Sequence, residues 1–163
     1  MNRPLVIGVG NPYRHDDGVG IVVAQRLREL GVDADVAEES GEPVGLVQRW
    51  LGRSNVTLVD AVSAGAAPGT VYRLDCTAGE WAGAPPAGAV STHGLGLAEA
   101  VELGRALEQL PEHLVLVAVE ALDVSEGVGL SPPVALAVEA VVSEVRRSFG
   151  DTGVVGVGDR GAR

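Results

Sequence analysis

The sequence predicts an α/β fold: a single domain with a mostly parallel, twisted sheet and helices on both faces. Two observations carry this expectation. Apolar runs of strand length alternate along the chain with longer stretches at helical spacing. The first run, over 4–9, is also continuous rather than alternating, as for a strand buried on both sides. No repeat or linker interrupts the pattern, so one domain is expected over 1–149, followed by a Gly-rich, aperiodic tail over 150–163.

"PLVIGV" (4–9) is the first strand, and it runs into a loop closed by Asp16 and Asp17. Val19, Val22, Val23, Ala24, Leu27 and Leu30 then recur at helical spacing, with Arg26, Arg28 and Glu29 largely opposite. Gly31 stands where a helix C-terminus favours glycine. Residues 32–39 form a second strand, 44–52 a short helix, and "NVTLVDAV" (55–62) a third strand. "PGTVYRLD" (68–75) is a strand entered through a Pro-Gly turn. Residues 76–90, rich in Ala, Gly and Pro, read as a loop. Residues 91–110 read as loop into helix, with Ser91 or Thr92 available as a cap. A strand over 113–121 and a helix over 131–149 complete the pattern. Ser131 stands at the cap of that helix and Pro132 just inside it.

Composition narrows the function. The 163 residues carry 12 basic and 22 acidic side chains, a formal charge of −10. That balance argues against nucleic acid or an anionic membrane surface, both of which are held by basic patches. No run approaches the roughly 18–20 apolar residues of a membrane span, and the N-terminal apolar run is too short for a signal peptide. Cys76 is the single cysteine, so no internal disulfide or CxxC metal site can form. A cytoplasmic protein, monomeric, is the expectation.

Ligands of such folds sit beyond the C-terminal ends of the strands. There the sequence puts Asp16 and Asp17 after the first strand, Asp60 after "TLV", and His93 before a helix. Two carboxylates and an imidazole suit a divalent transition metal; oxygens alone would suit magnesium, and nitrogen shifts the balance to zinc or nickel. Each residue also has an ordinary reading. Asp16 could cap the first helix and Asp17 complement its positive end. Asp60 could serve a turn, and His93 could be a capping or surface residue.

The rivals are weaker. Tyr13 stands where a dinucleotide loop needs its third glycine, and two acids at the helix mouth repel a pyrophosphate. A thiol hydrolase built on Cys76, His93 and Asp60 lacks any neighbour in sequence that would activate the thiol. His15 and His113 have no patterned partners and read as a loop residue and a strand-edge residue.

"GVGNPYRHDDGVG", "TLVDAV" with "PGTVYRL", "STHGLGL" and "LVLVAVEALDVSEGVGLSPPV" occur in this order over roughly 4–148. Together they resemble the hydrogenase maturation endopeptidases. The resemblance implies an enzyme that removes a C-terminal peptide from the large-subunit precursor of a nickel–iron hydrogenase. It also implies that cleavage follows nickel insertion, with the substrate's own nickel as the recognition element. Carried over by motif, the metal-contacting residues are Asp17, Asp60 and His93. Asp17 stands where many relatives have glutamate. Glu39-Ser40-Gly41-Glu42 departs from an acid followed by Gly-Gly-Thr, and Glu39 is a candidate for a catalytic or positioning role. A non-catalytic metallochaperone or assembly scaffold is the alternative from another class.

Overall fold

The computed structural model describes residues 3–77, 90–91 and 96–149. Thr92, His93 and the expected tail over 150–163 lie outside the described residues. The elements run β1 (Leu5–Val9), a 3-10 turn (His15–Gly18), α1 (Val19–Leu30), β2 (Asp35–Glu39) and α2 (Pro43–Trp50). They continue β3 (Asn55–Ser63), β4 (Val71–Asp75), β5 (Val90–Ser91), α3 (Gly96–Ala106), β6 (His113–Glu120) and α4 (Pro132–Ser148). The sheet order is β2-β1-β3-β6-β4, with β5 paired to β3.

β2, β1, β3 and β6 are mutually parallel, as the alternating pattern requires. β4 runs antiparallel to β6 at one edge. It reaches that edge directly from β3 through a turn at Gly69, with no helix to carry the chain back for a parallel entry. β5 is the strand the sequence does not reveal. Two residues in an Ala/Gly/Pro-rich stretch carry no periodicity, yet Val90 and Ser91 pair with Ser63 and Val62. Ser91 is therefore a strand residue and not the cap of α3, which starts at Gly96.

Period two on the strands divides the core. Val6, Val59, Val117 and Val119 pack with Val19 and Val23 of α1 and Val134 and Val141 of α4. Ile7, Leu58 and Leu116 pack on the other face with Leu46 and Trp50 of α2 and Leu97 and Val101 of α3. Trp50 donates its indole N–H to the Gln109 carbonyl (2.9 Å), so its polar edge is satisfied while the ring fills the core. Gly31 ends α1 with φ +65°, its N–H turned back to the Arg28 carbonyl.

α1 lies unusually close to the sheet. A Cβ on Gly20 would stand 2.4 Å from the Val59 carbonyl oxygen and 2.5 Å from that of Val9. One on Gly8 would meet the Gly20 carbonyl at 2.1 Å. Two glycines, one on each element, thus let backbone touch backbone. This contact sets the height of the turn that carries Asp16 and Asp17.

Candidate active site

Parallel register puts the site residues on adjacent strand ends. Val9 is paired with Glu39, and Gly8 with Val59, so Glu39, Val9 and Asp60 form one row across β2, β1 and β3. Val9 belongs to the core layer under α2 and α3, as do Leu58 and Val62 on either side of Asp60. Period two therefore turns Glu39 and Asp60 to that same face. They are two strands apart, about 10 Å between backbones. Asp60 is fully buried, and its Oδ1 accepts the N–H of Ala61 at 2.8 Å.

Asp17 arrives from the 3-10 turn, which packs against β3. Gly10, at φ +146°, makes room for it: a Cβ there would fall 2.0 Å from the Asp17 carbonyl oxygen. The Asp17 carboxylate is fully buried, accepts the Asn11 N–H at 3.0 Å and has the Arg14 guanidinium at 3.9 Å.

Glu39 is held by Arg49 of α2, whose Nε lies 2.6 Å from Oε2. Its backbone carbonyl accepts the Gly10 N–H at 3.0 Å, tying the end of β2 to the glycine loop. Among the described residues, no three His, Cys, Asp or Glu side chains converge as a group that could hold a metal ion. His93 lies outside the described residues. β5 nevertheless runs antiparallel to β3, so from Val90 to Ser91 the chain moves from Ser63 back to Val62, toward Asp60.

Asp16 does not cap α1. The cap position is Gly18, which offers no side chain. Asp16 turns away and accepts the backbone N–H groups of Leu122, Asp123 and Ser131 at 2.9, 2.9 and 2.7 Å, and the Ser131 hydroxyl at 2.8 Å. Ser131, at the cap of α4, is thereby drawn off from capping. The helix tolerates this because Pro132 and Pro133, at its first two positions, have no N–H to satisfy. Burial alone would raise the Asp16 pKa. The bonds from Ser131, Asp123 and Leu122 outweigh it and hold the group below its ordinary 3.8.

Asp16→Ala leaves those donors without their acceptor and is expected to cost about 3 kcal/mol, roughly 6–12 °C in melting temperature. Because the folded pKa is depressed, the contribution is complete above 3.8 and disappears as pH falls through the lower folded value. The difference in melting temperature between wild type and variant should therefore be full at pH 7 and shrink below pH 3.8. An equal difference at every pH would refute the assignment.

His15 has partners that its sequence context hides. Its φ is +45°, its backbone N–H bonds the Gly127 carbonyl at 2.8 Å, and its Nδ1 donates to the Gly129 carbonyl at 2.9 Å. Gly127 is required beside it, since a Cβ there would lie 2.1 Å from Nε2. His113, by contrast, is the exposed first residue of β6.

Glu120 is the acid that sequence reading missed. It is buried at the end of β6 and accepts the N–H groups of Ala64 (2.9 Å) and Gly65 (3.1 Å) and the Tyr72 hydroxyl (3.0 Å). It fixes the chain leaving β3. Burial, and then the bond to Glu120, push the Tyr72 pKa up. A carboxylate directly after a buried apolar run marks Asp60 in the sequence, and the same signal stands at Glu120.

Cys76 is buried after β4, and burial, with Asp75 beside it, pushes its thiol up to about 12. A thiol so placed is not a nucleophile at neutral pH.

Fold and site together define a class: α/β proteins whose strand-end rim presents buried carboxylates in place of a phosphate-cradling loop or an activated thiol. The comparisons with known proteins narrow it. The model of the HycI family, hydrogenase maturation protease, matches residues 40–148. The Hydrogenase 2 maturation protease of Escherichia coli is 30% identical over 93% of this chain and 93% of its own length. HupD of Bradyrhizobium diazoefficiens, a hydrogenase expression/formation protein, is 31% identical over 82% of this chain and 70% of its own. The solved structure of the hydrogenase maturating endopeptidase HybD from E. coli superposes with a TM-score of 0.73 at 25% identity, covering 91% of this chain and 94% of that one. The chain belongs to the hydrogenase maturation protease family. Among the described residues, no helix is long and apolar enough to cross a membrane.

Proposed function

We propose that this protein is the cytoplasmic endopeptidase that removes the C-terminal peptide of a nickel–iron hydrogenase large-subunit precursor. It acts as a monomer after nickel insertion, and recognises the nickel that the precursor carries. The observation that carries this reading is the pair of fully buried carboxylates, Asp17 and Asp60, on neighbouring strand ends. Two fully buried acids on one strand-end rim suit a cation delivered by the substrate. The direction of β5 toward Asp60 supports His93 as the third contact. Glu39, held by Arg49 one strand further out, acts as a positioning residue for the peptide.

Peptide hydrolysis needs a water that loses a proton as its oxygen attacks the carbonyl carbon, and a leaving amine that gains one. A carboxylate of the aspartyl pair can take the first proton and return it to the amine. The substrate's nickel orients the tail and polarises the scissile carbonyl. Requiring the metal makes cleavage a checkpoint on its insertion.

The test is intact-mass spectrometry of a purified precursor, nickel-loaded and nickel-free, incubated with the protein. Loss of a C-terminal peptide from the loaded form alone is expected. Equal trimming of both forms would refute nickel recognition. Nickel-dependent binding at unchanged mass would make the protein a scaffold.

A further inference from the structure

We propose that the hollow between the loop over 122–130 and the start of α4 docks the precursor's peptide beside the scissile bond, taking an extended segment with apolar side chains and a cationic residue. The inference rests on the function proposed above.

The hollow, about 580 Å³, is walled by His15, Leu122, Asp123, Val128, Leu130 and Pro132. That is within the usual range of about 300–1,000 Å³ for ligand sites. It stands on the same strand-end rim as the candidate active site. His15 lies two residues from Asp17, and Ser131, also on the wall, is bonded to Asp16. Its rim is apolar and open: Leu122 is 58% exposed, Val128 75%, and Leu136, one turn along α4 from Pro132, 85%. Tyr13, whose carbonyl accepts the Gly127 N–H, extends this surface and is 69% exposed. Four large apolar side chains left in water along one edge mark an interaction surface.

Charge chooses the occupant. Asp123 lines the hollow and Glu126 stands exposed on the same loop, whereas His15 is the one wall residue able to carry positive charge. A peptide cation is therefore favoured and an acidic peptide repelled. A second copy of this chain fits poorly, because a two-fold contact would bring the same acidic loops together on a protein of net charge −10. The loop is also preorganised, since Asp16, His15 and the backbone of 13–16 hold its main chain in place. Binding here spends little on ordering.

Val128→Asp, Leu122→Asp and Asp123→Asn test the proposal, each first confirmed to melt like wild type. Binding to immobilised nickel-loaded precursor and processing kinetics are read in parallel. Either apolar-to-acid change should weaken Kd and raise KM at least about tenfold with kcat within about twofold. Asp123→Asn, which still accepts the Ser125 N–H, should weaken Kd several-fold and flatten its salt dependence. Wild-type Kd and KM in both aspartate variants would overturn the proposal, as would a wild-type dimer that Val128→Asp dissociates. A wild type that binds without cutting, with binding lost in Val128→Asp, sinks the protease reading and upholds the docking surface. A wild type that does not bind the precursor sinks both.

Discussion

Asp60→Asn should fold as wild type does and process nickel-loaded precursor at least about 100-fold more slowly. The two halves of this result have separate causes. Asparagine matches aspartate in shape and keeps the Oδ1 that accepts the Ala61 N–H, so the end of β3 is retained. The substitution keeps the volume and that acceptor, so the melting temperature should move little. Under the proposed function the charge is what matters, both to meet a cation and to take a proton from water. Mass spectrometry over time gives the rate, and thermal melting shows that the fold is intact. A rate within a few-fold of wild type would remove Asp60 from the site.

Gly20→Ala should destabilise the fold through a single added methyl group. Helix propensity alone favours it by about 1 kcal/mol. Against that, the added Cβ would lie 2.4 and 2.5 Å from two backbone carbonyl oxygens and 2.7 Å from the Val9 nitrogen. Neither β1 nor β3 can yield, since both are central strands paired on two sides. α1 must lift, and overpacking of this kind costs about 3 kcal/mol or more, so the net loss is roughly 2 kcal/mol at least. Lifting α1 also moves Asp17, so activity should fall further than the lost stability explains. Melting and processing assays at a temperature where the variant remains folded separate the two losses. A variant as stable and active as wild type would show that the backbone contact is slack.

The parallel core was legible because its signal is local. Continuous, short and Val-rich runs such as "LVIGV" and "LVLVAV" fit strands buried on both faces. Asp60 stands out for a related reason, since charge placed directly after such a run must be held by something, whereas Asp17 is singled out by its loop at the end of β1. What the sequence hid depends on partners far along the chain. Asp16 is bonded to residues more than 100 positions away, and nothing beside it distinguishes a clamp from a cap. The same holds for His15 and Gly129. β5 is too short to show a period, and β4's direction follows from the lack of a crossover helix rather than from its residues.

The Asp16 clamp grips the loop after β6 almost wholly by main-chain atoms. The N–H groups of Leu122, Asp123 and Ser131, and the carbonyls of Asp123, Gly127 and Gly129, carry the bonds. Main-chain atoms are the same whatever side chain they bear. Positions such as 122 and 128 can therefore change identity over evolutionary time without loosening the loop, while Asp16 and Gly127 cannot. The scaffold separates what must be inherited from what can drift, which lets one peptidase fold be retuned to a new precursor by substitution at its rim.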